Sequence, residues 1–322
     1  MKYILFLMSV ISGLFVFAQP VPAEVENIPY LVTFGKEAER SWGDDDYCQI
    51  FFFSVPVEFD QPVYFRVYDP DCGGEVDEVN EGFNTFTRFS VYGGEGCISN
   101  PDSRETDPVG NFKSGNLLAT KTFGSKTEYD QNWYTFGPFN PTEGEESQKY
   151  GGYVLKLIAE GIRGNDGNLY RFFMSTEPDD NVPVEGGNAF TFEYTFRLHS
   201  DPGQTSHIYP YIDDKVVSVL QSNFDWDSDG FIKVFSVTTM GEALITSGDD
   251  EWKQSQYKVK RDELDSSLDI QFTKSVGQIV NNNNVVFYVR NQYGELLPFY
   301  TAPIGGVPQP RQGVISLSPS KQ

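Results

Sequence analysis

The apolar positions of this chain recur with the wrong period for helices. No stretch keeps a helical apolar spacing beyond about a dozen residues, while short alternating or β-branched runs return between turn signals. The runs that read as strands are 30–34, 49–55, 63–68, 86–92, 117–123, 132–136, 152–159, 169–175 and 190–198. A second set comprises 208–212, 216–220, 230–238, 242–247, 255–259, 268–274, 285–291 and 296–301. Glycine pairs such as Gly73-Gly74 and Gly151-Gly152 fall between them, where a turn needs the positive φ that glycine adopts freely. Many short strands with such turns predict an all-β protein of two antiparallel β-sandwich domains, jelly-roll or immunoglobulin-like. The polar stretch 199–206, with Asp201-Pro202-Gly203, marks the expected boundary. It gives domains over 19–198 and 199–302, and the Pro-, Gly- and Ser-rich segment 303–322 reads as a flexible tail. A faint likeness between 63–69 and 285–291 suggests a duplicated sandwich.

Residues 1–18 add a compartment to this picture. Lys2 precedes an apolar run from Tyr3 to Phe17, broken only by Ser9, Ser12 and Gly13, and the small residues Val16 and Ala18 follow the pattern a signal peptidase reads. This is the layout of a secretory signal peptide, with cleavage expected between Ala18 and Gln19. The run falls short of the ~20 residues of a spanning helix, so no integral membrane segment is expected once the signal is removed. The ending Phe-Ala-Gln is similar to the signals of proteins exported by Gram-negative bacteria. That resemblance implies the periplasm, the outer-membrane surface or the extracellular space. Export permits disulfides, and three cysteines allow at most one bridge within the chain. Cys72 and Cys97 lie beside Gly-rich turns and are the expected pair, whereas Cys48 leads into Ile50-Phe51-Phe52-Phe53 and reads as a buried thiol.

Charge then narrows the function. With 24 basic and 46 acidic residues the formal net charge is -22, which repels nucleic acid and anionic membrane surfaces. The 27 Phe, 18 Tyr and 4 Trp supply too much apolar surface for a disordered, solvating chain. Only His199 and His207 can titrate near neutrality, and no GxSxG, HExxH or GxxxxGK[ST] pattern occurs, so the chain is not expected to be an enzyme.

The candidate chemistry is concentrated in acidic loops. In Asp225-Trp226-Asp227-Ser228-Asp229-Gly230, carboxylates at alternate positions of a tight turn can converge on a hard cation, which takes about 6 to 8 oxygen ligands. A full EF-hand would need an acidic residue where Ser236 stands and a helix where 231–235 reads as a strand. The segment resembles instead the DxDxDG turns of calcium-binding repeats and β-sandwich loops. Trp226, set between acids, is expected to turn outward as a face for a sugar ring. Asp69-Pro70-Asp71, followed by Asp77, resembles the third calcium loop of the lipid-binding β-sandwiches of protein kinase C and synaptotagmin. Asp69, Asp71 and Asp77 stand at the matching positions, which implies a calcium site there, with Asp44-Asp45-Asp46 as a neighbouring acidic run. The loop departs from that family in Cys72-Gly73-Gly74 and in lacking a basic membrane-facing patch. Residues 152–157 followed by Gly164-Asn165-Asp166-Gly167 and 169–173 resemble the closing hairpin of the jelly-roll domain that accompanies proprotein convertases. A tight hairpin turn gives the same pattern.

Together these readings predict an exported, noncatalytic scaffold, adhesion or assembly protein whose acidic loops are stabilised by calcium. Its expected ligands are Asp225, Asp227, Asp229, Asp69, Asp71 and Asp77, and its expected partner is a protein or glycan of the cell envelope. Two alternatives stand beside it. One is a carbohydrate-binding module using the loop aromatics Trp42, Trp133, Tyr134, Trp226 and Trp252; the other is a glycan-active hydrolase using a carboxylate pair.

Overall fold

The computed structural model describes residues 28–39, 47–104, 112–275, 277, 280 and 283–300. The expected signal peptide, the run Asp44-Asp45-Asp46, Trp42 and the expected tail lie outside the described residues. The described residues form twenty strands and a few 3-10 turns. The first strands are β1 (Tyr30–Phe34), β2 (Cys48–Pro56), β3 (Val63–Tyr68), β4 (Phe86–Gly93), β5 (Asn116–Phe123), β6 (Trp133–Phe139) and β7 (Glu145–Ser147). Then come β8 (Gly152–Arg163), β9 (Gly167–Ser175), β10 (Asn188–Thr191), β11 (Glu193–Arg197), β12 (Thr205–Ile212), β13 (Ser218–Phe224) and β14 (Gly230–Phe235). The last are β15 (Met240–Leu244), β16 (Trp252–Lys258), β17 (Ser266–Ser267), β18 (Asp269–Lys274), β19 (Asn284–Asn291) and β20 (Phe299–Tyr300).

These strands make two large sheets. One has eight strands in the order β16-β13-β19-β11-β1-β9-β3-β6. The other has twelve, in the order β15-β14-β18-β12-β20-β10-β2-β8-β4-β5, with β17 on β12 and β7 on β8. Every ladder is antiparallel. The sheets face each other across aromatic side chains, as the alternation of the strands requires. Phe53 of one sheet meets Phe65 of the other at 4.6 Å between ring centres, and Phe272 meets Phe287 at 5.1 Å. β2 reads Ile-Phe-Phe-Phe without alternation because both its faces are covered. Phe51 and Phe53 enter the space between the sheets, while Ile50 and Phe52 join a second apolar cluster with Tyr150, Phe190 and Tyr300.

Both sheets run without a break across the expected domain boundary. β11 from the first half pairs with β19 from the second over five residue positions, and β20 bridges β10 and β12. The main core likewise contains residues from Ile28 to Phe299.

Two expected elements are rearranged. The predicted strand 190–198 is broken at Phe192 into β10 and β11, which belong to different sheets. The Thr191 hydroxyl donates to the Ile50 carbonyl at 2.6 Å and to the Glu193 carbonyl at 3.0 Å, so the chain is pinned where it steps between layers. The segment expected to form a tight hairpin around Gly164–Gly167 also crosses between layers, since β8 pairs with β2 and β4 while β9 pairs with β1 and β3. Asp166 explains this. Its carboxylate is fully buried and accepts the amides of Asn80, Asn84 and Thr85 at 2.9, 2.6 and 3.0 Å, tying the arch to a distant loop rather than to its own turn.

Candidate metal site

Strand β13 ends at Phe224, which faces Trp252 of β16 across the ladder, with the two rings 5.1 Å apart. Beyond it Asp225, Asp227 and Ser228 take left-handed backbone conformations, with φ of 57, 56 and 53°. Aspartate visits this region more readily than most residues because its short side chain finds local hydrogen bonds. Trp226 turns into the core. It is fully buried, its ring centre is 5.5 Å from that of Phe272, and its amide donates to the Ser247 hydroxyl at 2.9 Å. The expectation that Trp226 presents a ring to a ligand is therefore corrected: a large indole gains far more by filling the space between the sheets than by facing water.

Anchored by that indole, the loop brings Asp225 and Asp227 together with Asp249, from the turn that leads into β16. Oxygens of the three carboxylates lie within 4.8 Å of one another. The Asp250 amide donates to Asp225 Oδ1 at 2.9 Å and holds that carboxylate in place. Burial, opposed by this amide and reinforced by Asp227, Asp249 and Asp250, pushes the Asp225 carboxyl up to about 6. Asp227 is raised as well, by burial and then by Asp249 and Asp229. No ion pair to these three carboxylates exists among the described residues. Three like charges in so small a volume can take a hard divalent cation.

Asp229, the third acid of the DxDxDG pattern, faces the other way. It is fully buried, pairs with Lys274 at 2.9 Å, and receives the Asn283 side-chain amide at 3.5 Å. The chain enters β14 at this point, and Gly230 lies so close to its neighbour that a Cβ there would stand 2.1 Å from the Thr273 carbonyl oxygen. The descent of the backbone carries Asp229 into the core, and Asp249 supplies the third carboxylate in its place. The acidic run Asp249-Asp250-Glu251 before a strand was the available signal for Asp249, but nothing in its spacing joins it to Asp225.

The other expected ligand set does not gather as three. Asp69 is fully buried at the end of β3. Asp71 accepts the Tyr129 amide at 2.7 Å. Asp77 gives one oxygen to the Gly73 amide at 2.7 Å and the other to the Leu169 amide at 2.6 Å, so it ties its loop to β9. Among the described residues the group within 4.8 Å is that of Asp225, Asp227 and Asp249.

The expected Cys72–Cys97 bridge is also corrected, because all three cysteines are free and buried. Cys72 follows β3 of the eight-stranded sheet, and its amide donates to the Gly124 carbonyl. Cys97 follows β4 of the twelve-stranded sheet, and its thiol meets the Tyr92 carbonyl at 3.6 Å. Burial pushes the Cys97 thiol up to about 12, and Cys48 and Cys72 are raised further, which leaves no reactive thiolate at neutral pH.

A groove of about 1560 Å³ lies along the twelve-stranded sheet where strands of the two halves meet. Tyr150, Tyr211 and Tyr300 line it with Arg104, Lys149 and Asn188. Tyr150 stacks on Phe190 at 4.6 Å, and its hydroxyl is buried without a hydrogen-bond partner. Burial lowers the Lys149 amine, and Arg104 adds to the effect. These tyrosines went unnoticed in the sequence because each sits in an ordinary strand or turn, whereas the described tryptophans that stood out pack against other side chains. Trp133 lies under Arg66, and Trp252 is wedged between Phe224 and Tyr288.

No protein family and no curated protein matches this chain.

Proposed function

We propose that the chain is an exported, noncatalytic scaffold, adhesion or assembly protein whose surface loops are ordered by calcium. The observation that carries this reading is the convergence of Asp225, Asp227 and Asp249 within 4.8 Å. Bound calcium neutralises carboxylates that otherwise repel one another, and fixes the 225–229 and 248–251 loops in one geometry for a protein or glycan partner of the cell envelope. In this reading, residues up to 198 and from 199 onward are two sandwiches fused edge to edge along both sheets. Such a fusion makes a stiff platform, which suits holding a partner better than enclosing a substrate.

The test is cross-linking and affinity purification from the native envelope, in calcium and in chelator. A partner retained in calcium and lost in chelator supports the reading. Retention that ignores calcium, or release of product from a polysaccharide, sinks it. The groove supports a second reading, carbohydrate binding, because Tyr211 is a partly exposed ring in it beside charged and amide groups. Binding on a glycan array that disappears in Tyr211→Ala would move the function to that surface.

A further inference from the structure

The surroundings of Asp69 repeat those of Asp225 position for position. β13 ends on Phe224 opposite Trp252; β3 ends on Tyr68 opposite Trp133, with rings 5.3 Å apart against 5.1 Å. An Asp-x-Asp follows each strand, the middle residue, Trp226 or Pro70, is buried in each, and the first aspartate has φ of 57° in one and 58° in the other. Each partner strand is preceded by an aspartate three residues before its tryptophan, Asp249 or Asp130. In each, the residue after that aspartate is left-handed, with φ of 49° at Asp250 and 54° at Gln131. The two strand pairs form opposite edges of the eight-stranded sheet. The ladders β13·β19, β19·β11, β11·β1, β1·β9 and β9·β3 are all antiparallel, so β13 and β3 run in opposite directions and the loops that follow them lie at opposite ends of the sheet.

A second observation points to a ligand. Asp69 is fully buried, and neither of its carboxylate oxygens has a hydrogen-bond partner. The Gln131 amide lies near enough to favour its charged form without meeting either oxygen in hydrogen-bond geometry. Oδ1 of Asp130 is likewise buried and unpaired. That carboxylate lies under the 69–77 loop, against Gly74, where a Cβ would stand 2.2 Å from Oδ1. Arg171 stacks over the Tyr68 ring at 4.4 Å and forms no ion pair with Asp69. Leaving carboxylate oxygens buried and unpaired is costly unless something compensates.

We propose that Asp69 and Asp130 hold a second calcium ion; Asp71 stands at the sequence position of Asp227 but does not close with them into a group within 4.8 Å. The inference rests on the calcium reading of the Asp225 loop for its template. The two sites differ in that Asp71 gives one oxygen to the Tyr129 amide. Asp130 is only partly buried. Burial, with Asp130 and Asp71 adding to it, pushes the Asp69 carboxyl up to about 7, so a cation competes there with a proton rather than with a settled ion pair.

The test is calcium stoichiometry of the full chain by native mass spectrometry, using Asp69→Asn, Asp130→Asn and the pair Asp225→Asn with Asp227→Asn. The expected result is two ions per wild-type chain, one in Asp69→Asn or Asp130→Asn, and one in the Asp225/Asp227 double variant. Asp130→Asn, at a partly exposed position, keeps the test open if Asp69→Asn does not fold. A wild-type chain with one ion that survives both Asp69→Asn and Asp130→Asn overturns the second site and leaves the Asp225 reading standing. One ion lost in Asp69→Asn but kept in the double variant supports the second site and removes the first. No ion at all overturns both.

Discussion

Raising the pH on calcium-free protein should weaken the fold, and calcium should cancel the loss. Asp225 has its carboxyl raised from 3.8 to about 6 in the folded chain, mainly by burial. A carboxyl that holds its proton more tightly when folded favours the folded state fully below its unfolded pKa. That contribution disappears as the pH rises through the folded value, so stability falls between about pH 4 and pH 6. At ~1.4 kcal/mol per unit, a shift of about two units sets a ceiling of ~3 kcal/mol. Asp225 keeps some contact with water, and screening reduces this to about 1–2 kcal/mol. Asp69, raised to about 7, extends the decline toward neutrality in the same direction. Calcium at ~100 times its dissociation constant stabilises the folded state by ~2.7 kcal/mol, enough to offset the Asp225 contribution. For a chain of this size that corresponds to a rise in Tm of about 5 °C, with a smaller rise in magnesium. Thermal melts at several pH values from about 3.5 to 8, in chelator, calcium and magnesium, measure all of this. Asp225→Asn with Asp227→Asn, and separately Asp249→Asn, should remove the share of the calcium response that this site supplies. Asp262→Asn, whose exposed side chain lies outside the group, should leave it intact. An equal loss in Asp262→Asn would show that calcium merely screens a chain of charge -22, and the site would be abandoned.

Two further outcomes follow from buried groups. Lys274→Met leaves Asp229 charged and fully buried without its partner, and should cost about 3–5 kcal/mol in urea denaturation, with recovery when Asp229→Leu is added; a loss near zero would show that the pair is solvated. Native protein should resist thiol alkylation, and denaturation without reductant should expose three labelling sites per chain, whereas a single site would show that two of the three are bridged.

The sequence by itself determined the fold class and most strand positions, because period-two alternation and glycine-rich turns are local properties. β1 and β3 fall on their expected residues. It also determined that an acidic turn follows β3. What it left open was which strands neighbour one another. The switch at Phe192 depends on a hydrogen bond from Thr191 to Ile50, and the repeat of β3 with β13 displaces the likeness between 63–69 and 285–291, whose second segment forms β19 in the interior of the sheet.

The candidate site shows the same division. Alternation in Asp-Trp-Asp correctly places Asp225 and Asp227 on one side of the chain and Trp226 on the other, but it cannot say which side is water. Tertiary packing decided that, because the indole fills the core beside Phe272 and so turns the carboxylates out. The third carboxylate was beyond sequence reasoning for a geometric reason. Asp229 is carried inward as β14 enters its sheet, and Asp249 is brought to Asp225 only by the β13·β16 ladder, which places residues 24 positions apart side by side through backbone hydrogen bonds that carry no signature in the side chains.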